Sequence, residues 1–319
     1  MKFLETTFNE YVTTSEKENL HPTYNKIFSE LPKDISNLQN IIFYGPPGVG
    51  KYSQVLKCIN KYSSSYMKYE KKLICNFNKV NYFFKISDVH FEVDMALLGC
   101  NAKLLWNDLF VNIVDVLSSR VNKNGIILCK NFHKIHSELL DCFYSYIQKN
   151  FTNINIIFFI LTESVTFIPD NIINTCHIIP FSRPSKNLYS KIINKKISPR
   201  LNIKDITNIK SLHSNEIIIN NNIYNYIDKL YNIICNNNIL KYTSFRDEIY
   251  DIFIYDIDIG YVLWNILNKL FSENKIKQDK HSYIIIETYS FLQFFNNNYR
   301  PIYHLENYLY KIINLINEF

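Results

Sequence analysis

Apolar positions fall into two regimes along the chain. Up to about Pro184, short apolar runs alternate with segments of helical period. Ile41-Ile42-Phe43-Tyr44, Phe91-Glu92-Val93, Gly125–Cys129, Ile154–Leu161 and His177–Phe181, the last closed by Pro184, predict strands. Between them, Tyr52–Ile59 puts Val55, Leu56 and Ile59 on one face, and Ser137–Lys149 repeats Leu140, Phe143, Tyr144 and Ile147 at helical intervals. Strands alternating with helices imply a parallel sheet covered on both faces. Beyond Pro184, Lys186–Lys195 and Lys204–Leu212 predict short helices. Ile223–Cys235, Tyr261–Phe271, Tyr283–Phe295 and Ile302–Phe319 carry i, i+3, i+4 periodicity with no convincing strand alternation. The expected fold is α/β then α: residues 1–185 a parallel-sheet domain, 186–215 a short helical segment, 216–319 a helical bundle.

The 319 residues suit two or three domains, and 47% hydrophobic against 20% charged residues suffices for a real core. A formal charge of +6 is compatible with a phosphate-rich partner without proving one. The seven Cys are scattered without a C-x-x-C pair, which argues against a disulfide scaffold or zinc ribbon and fits a reducing compartment. No run of about 18 apolar residues occurs, and Met1–Glu10 lacks the apolar core of a signal peptide. An intracellular protein is expected, with no membrane partner. The Asn tracts 220–222, 236–238 and 296–298 read as loops of a compositionally biased sequence.

Candidate chemistry concentrates where the first strand ends. Gly45-Pro46-Pro47-Gly48-Val49-Gly50-Lys51 fits G-x-x-x-x-G-K between a strand and a helix. In such a loop the glycines let backbone N–H groups converge on phosphate, the helix adds its positive end, and Lys51 supplies a point charge. The candidate nucleotide-binding set is Gly45, Pro46, Pro47, Gly48, Val49, Gly50, Lys51, Tyr52 and Ser53. The position after the lysine should offer a short hydroxyl to magnesium, and here it is Tyr52. Ser53 is one residue out of register, turned by about 100° on a helix.

The loop, His90-Phe91-Glu92-Val93-Asp94, Tyr146-Ile147-Gln148-Lys149 and Ile302-Tyr303-His304-Leu305-Glu306 occur in the same order as in small subunits of replication factor C. The chain resembles these AAA+ clamp-loader ATPases from about Leu38 to Phe319, as a divergent member such as a large DNA virus would carry. The resemblance implies that residues 1–185 are an AAA+ nucleotide-binding domain, 186–215 an abbreviated helical lid and 216–319 a helical collar, with ATP as the cofactor. It also implies partners: other loader subunits in a hetero-oligomer, a sliding clamp and primer–template DNA. The implied setting is the nucleus or a viral replication site.

The departures from that pattern point away from catalysis. The family's acidic box after the second motif strand falls on Lys130-Asn131-Phe132-His133, so the metal-side carboxylate becomes Lys130 and the catalytic Glu becomes Asn131. Neither accepts a proton from water at neutral pH. The first sensor falls on Thr162, the Ser-Arg-Cys box on Asn174-Thr175-Cys176, and the paired arginines on Tyr144 and Ser145. Thr175 cannot act as an arginine finger, a group worth about a thousandfold or more in rate. The second sensor falls loosely on Lys210.

The expectation is a subunit that helps load the clamp, holds ATP weakly or structurally, and does not hydrolyse it. Its magnesium is in doubt, and no catalytic or metal-ligating residue is assigned. Two alternatives stay open: an active ATPase using displaced carboxylates such as Glu138 or Asp141, and a replication adaptor that binds only protein. His133 and His136 lack the further ligands a zinc site needs. The resemblance also implies DNA-phosphate contacts from Lys103, Lys130, Lys134 and His136. It places clamp contact on Asn101–Leu117, where an exposed Trp106 or Phe110 would be an anchor while core packing explains these residues equally well, and subunit packing on His304 and Glu306.

Overall fold

The structure is a computed structural model. It describes residues 5–149, 151, 153–193, 197, 203, 206, 208–209, 218–235, 242–254, 257–295 and 301–317. Two compact units divide it, Met1–Ser214 and Asn215–Phe319. In the first, the chain runs α1 (Phe8–Lys17), α2 (Tyr24–Glu30), β1 (Asn40–Tyr44), α3 (Lys51–Asn60), β2 (Lys71–Phe77), β3 (Val80–Ile86), β4 (His90–Asp94) and α4 (Ala102–Ser118). It continues β5 (Asn124–Lys130), α5 (Ser137–Ile147), β6 (Asn155–Thr162), α6 (Asp170–Ile173), β7 (Cys176–Pro180) and α7 (Lys186–Ile193).

The sheet order is β2-β3-β4-β5-β6-β1-β7. From β4 to β7 every pairing is parallel, with Ile41 opposite Phe159 and His177, and Phe91 opposite Ile127. Strands buried on both faces carry side chains of alternating destination. Ile42, Ile127, Cys129, Phe158 and Ile160 meet α4 and α5 through Trp106, Leu109 and Phe143. Ile41, Phe43, Ile126, Leu128 and Phe159 meet α1 and α3 through Phe8, Val12, Val55 and Ile59.

The sheet is parallel-dominated, as expected, with an antiparallel addition at one edge that the sequence reading did not anticipate. β2 and β3 form an antiparallel hairpin that joins antiparallel to β4. Its turn, Asn78-Lys79, has both residues at positive φ, 49° and 65°. That is the left-handed pair a two-residue hairpin loop requires. Also beyond the sequence reading is α1, capped by Thr7, which accepts from the Glu10 N–H at 3.4 Å while the Glu10 carboxylate takes the Thr7 N–H at 3.3 Å.

The second unit is helical throughout its described residues: α8 (Ile218–Cys235), α9 (Tyr242–Ile254), α10 (Ile259–Ser272), α11 (His281–Phe295) and α12 (Pro301–Asn317). Ile227, Phe245, Ile249, Leu263, Ile266, Leu305 and Leu309 form its core. Glu306 is buried there in a forked pair with Arg246, at 2.7 and 3.2 Å. Glu306 is thereby turned inward, whereas His304 is exposed. The predicted helix Lys204–Leu212 lies largely outside the described residues, as does Lys210. Among the described residues no helix is long and apolar enough to cross a membrane.

Candidate nucleotide-binding site

The glycine loop leaves β1 between its two neighbours. Gly45 N–H donates to the Thr162 carbonyl of β6 at 3.3 Å, and Phe181 N–H donates to the Tyr44 carbonyl at 2.7 Å. A Cβ on Gly45 would lie 2.3 Å from the Phe181 carbonyl oxygen, so only glycine fits. Gly50, at φ 81°, is the N-cap of α3 in the left-handed region, and no side chain caps that terminus.

The loop's carbonyls are held from outside. Lys51 Nζ donates to Gly45 O at 2.5 Å and Pro46 O at 2.8 Å, and Tyr189 OH of α7 donates to Gly48 O at 2.9 Å. His21 Nε2 lies 2.8 Å from Val49 O, its ring edge-on to Tyr24 and Phe181. Burial lowers the His21 pKa, which favours the neutral ring donating through Nε2–H.

Above the loop opens a cavity of about 540 Å³, walled by Tyr11 and Glu18, Gly48–Gln54, Asn131 and Glu163, with Ile192 of α7. That is within the usual range for a small-ligand site, roughly 300–1,000 Å³. Burial pushes the Lys51 ammonium down to about 8, with Glu163 opposing and Arg183 reinforcing the shift. Arg183 donates to the carbonyls of Ile203 and Ile206, both at 2.9 Å. His133 Nε2 lies 3.9 Å from the Glu163 carboxylate.

Tyr52 points across the seat that a metal would need. Its hydroxyl donates to Glu92 Oε2 at 2.6 Å, while Lys130 Nζ lies 3.2 Å from Glu92 Oε1 and 4.8 Å from the Tyr52 ring centroid. Tyr11 packs edge-on against the same ring at 5.0 Å. Burial, then the Glu92 charge, raises the Tyr52 phenol pKa far above its ordinary value. Next door, Asn131 sits at φ 50° and donates through Nδ2 to both Asp94 oxygens, at 2.9 and 3.0 Å. Asp94 Oδ1 also accepts from the Ala96 N–H at 3.1 Å.

These residues do not fit magnesium. The phenol is committed to Glu92, an ammonium has no lone pair to give, and both nearby carboxylates are engaged within the protein. Among the described residues no group of His, Cys, Asp and Glu could hold a metal ion, so the zinc geometry that His133 and His136 would need is not assembled.

The phosphate-loop strand β1 lies between β6 and β7 in the parallel part of the sheet, with Thr162 ending β6 and Lys130 ending β5. The fold is an α/β domain followed by a helical unit. No family model matches the chain, and no curated protein matches it. Among solved structures, a RuvB variant of Thermotoga maritima is similar over 60% of this chain and 53% of its own, at 14% identity and a TM-score of 0.33. The chain thus spans about half the length of that RuvB. Saccharomyces cerevisiae RIF2 is similar over 67% of this chain and 79% of its own, at 11% identity and a TM-score of 0.34. Likeness at this level carries no inference about activity.

The structure brings Gly48, Val49, Gly50, Lys51, Tyr52, Ser53 and Pro47 together along one cavity wall. Gly45 and Pro46 lie beneath, as acceptors for Lys51. Thr162 lines the cavity but spends its hydroxyl on Ser164 O at 2.7 Å, and Thr175 spends its own on Ile172 O at 2.8 Å. Of the carboxylates considered as substitutes for the lost acids, Glu138 and Asp141 are not among the cavity residues; Glu163 is. Lys130 is drawn to Glu92, whereas Lys103 and Lys134 are exposed. Trp106 and Phe110 are core residues, and Leu104 and Val111 are exposed apolar side chains of that helix segment. Sequence reasoning missed His21, Glu163, Arg183 and Tyr189, and it did not foresee that Glu92 would neutralise Lys130. The Glu-Ser and Ser-Arg-Pro contexts of Glu163 and Arg183 carry no local signal for this position.

Proposed function

We propose that the first unit binds a nucleoside triphosphate such as ATP and holds it without turning it over. On this reading the chain is a divergent, replication factor C-like small subunit in DNA replication. The observation that carries the reading is the Tyr52–Glu92–Lys130 cluster beside an intact phosphate loop. The loop keeps its glycines, its lysine and the open end of α3. The groups that would position a metal and draw a proton from water are replaced by a phenol, an ammonium and an amide. Hydrolysis needs those groups in the transition state, whereas binding needs only the cradle.

The clamp-loader role rests on the co-linear motifs in the sequence. In it the helical unit docks on neighbouring loader subunits, whose ATP cycles open the sliding clamp on primer–template DNA. If no nucleotide enters the cavity, the reading that remains is a replication adaptor that binds only protein.

The test combines ATP binding and turnover by the purified chain with co-purification alongside loader subunits and clamp. Binding lost in Lys51→Ala, with no turnover above background, is expected. Turnover that Lys51→Ala abolishes would overturn the non-hydrolysing reading. Glu163 gives that second reading its specific support, since it lines the cavity and faces Lys51; loss of the same turnover in Glu163→Gln would establish it.

A further inference from the structure

We propose that this site takes its nucleotide as the metal-free anion, with the Tyr52–Glu92–Lys130 cluster standing where magnesium is normally seated. The inference rests on the nucleotide-binding reading above and adds the form of the ligand. In phosphate-loop sites the ion rests on the short hydroxyl after the lysine and on an acid at the end of a neighbouring strand. Here the first is a phenol that reaches past that position to Glu92 Oε2 at 2.6 Å. The second is Lys130, its ammonium 4.8 Å from the centroid of that same ring.

Charge balance gives the substitution its meaning. Magnesium in an ordinary site does two jobs: it neutralises phosphate oxygens, and it screens them from the protein's own carboxylates. Glu92 is the buried carboxylate beside the seat, and Lys130 already neutralises it at 3.2 Å, with the phenol satisfying its other oxygen. Asp94 is likewise taken by both contacts from Asn131. A phosphate chain approaching the loop therefore meets no unpaired acid on that side that needs a metal between them. Toward the phosphates the chain presents Lys51, the uncapped start of α3 and the nearby positive charge of Arg183. A divalent ion at that seat, by contrast, would come against the Lys130 ammonium and two carboxylates already engaged within the protein.

Isothermal titration of the purified full chain with ATP and with ADP, once in excess magnesium and once in EDTA, tests this directly. The expected result is a Kd in EDTA within about twofold of that in magnesium, or tighter. A loss of about tenfold or more on chelation would overturn the inference while leaving nucleotide binding itself standing. Absence of binding in both buffers would overturn both. The double variant Tyr52→Thr with Lys130→Asp rebuilds the ordinary ligand pair and is expected to make binding depend on magnesium. Should that variant not fold, the wild-type comparison decides alone.

Discussion

Tyr52 and Lys130 are substitutions that only make sense as a pair. A phenol alone would leave Glu92 as a buried acid with one neutral partner; a lysine alone would sit beside an empty seat. Together with Glu92 they form a closed hydrogen-bonded ion pair. Removing the phenol oxygen in Tyr52→Phe is expected to cost about 1–2 kcal/mol in denaturant unfolding. Lys130→Ala should cost more, about 3 kcal/mol, because it leaves the Glu92 charge uncompensated. Lys51 carries its own pH signature. Its ammonium titrates near 8 in the free protein, mainly through burial, so it is charged below that pH and neutral above. Nucleotide affinity should therefore fall as pH rises through about 8, which titrations between neutral and alkaline buffer would show. At this scale the loop was legible because its chemistry is local: consecutive residues must make one backbone concavity. Glu92, Glu163 and Arg183 were not, since their roles come from strands and turns brought alongside by the sheet.

The β2–β3 hairpin shows what element-level reading lost. Its turn needs two left-handed residues; Asn78 supplies one readily, but Lys79 does so under strain and gives no turn signal in sequence. Lys79→Gly is expected to stabilise the first unit by roughly 1 kcal/mol, measured as a shift in the unfolding midpoint, because glycine adopts that φ without penalty. The strand pattern was also blurred. Ile74 and Phe83 face each other across the pair and are 55% and 61% exposed, so apolar residues mark both faces rather than one. By contrast β1, β5 and β6 were readable because continuous apolar runs are what a strand buried on both sides demands. The capping box at Thr7–Glu10 was present in sequence as a helix start. It went unread because the short α1 lies ahead of the segment carrying recognisable motifs.

Each unit of the whole molecule carries its own core and its own buried titratable group. In the second, Arg246 grips Glu306, which is 5% exposed. Glu306→Gln should lower stability by about 3 kcal/mol, seen as an earlier unfolding transition of that unit, while nucleotide affinity stays unchanged. In the first, His90 is fully buried, bonded through Nδ1 to Ser87 Oγ at 2.6 Å, and burial pushes its pKa down to about 3 against the opposing charge of Asp88. Between about pH 6.5 and 3 the unfolded chain binds a proton there that the folded chain refuses, so stability falls as pH falls through that window. His90→Gln should flatten the acid limb of a pH–stability profile by about one proton.

The outward tethers on the phosphate loop have a thermodynamic consequence. A trans peptide fixes each N–H opposite the preceding C=O. Tyr189 on Gly48 O and His21 on Val49 O therefore set the aim of the Val49 and Gly50 amides before any ligand arrives. Pro46 and Pro47 have no amide to aim. A receptor organised in advance gives up little freedom on association, so calorimetry of anion binding should show a small entropic penalty that grows when Tyr189 is replaced by Phe and the loop must order itself around its guest.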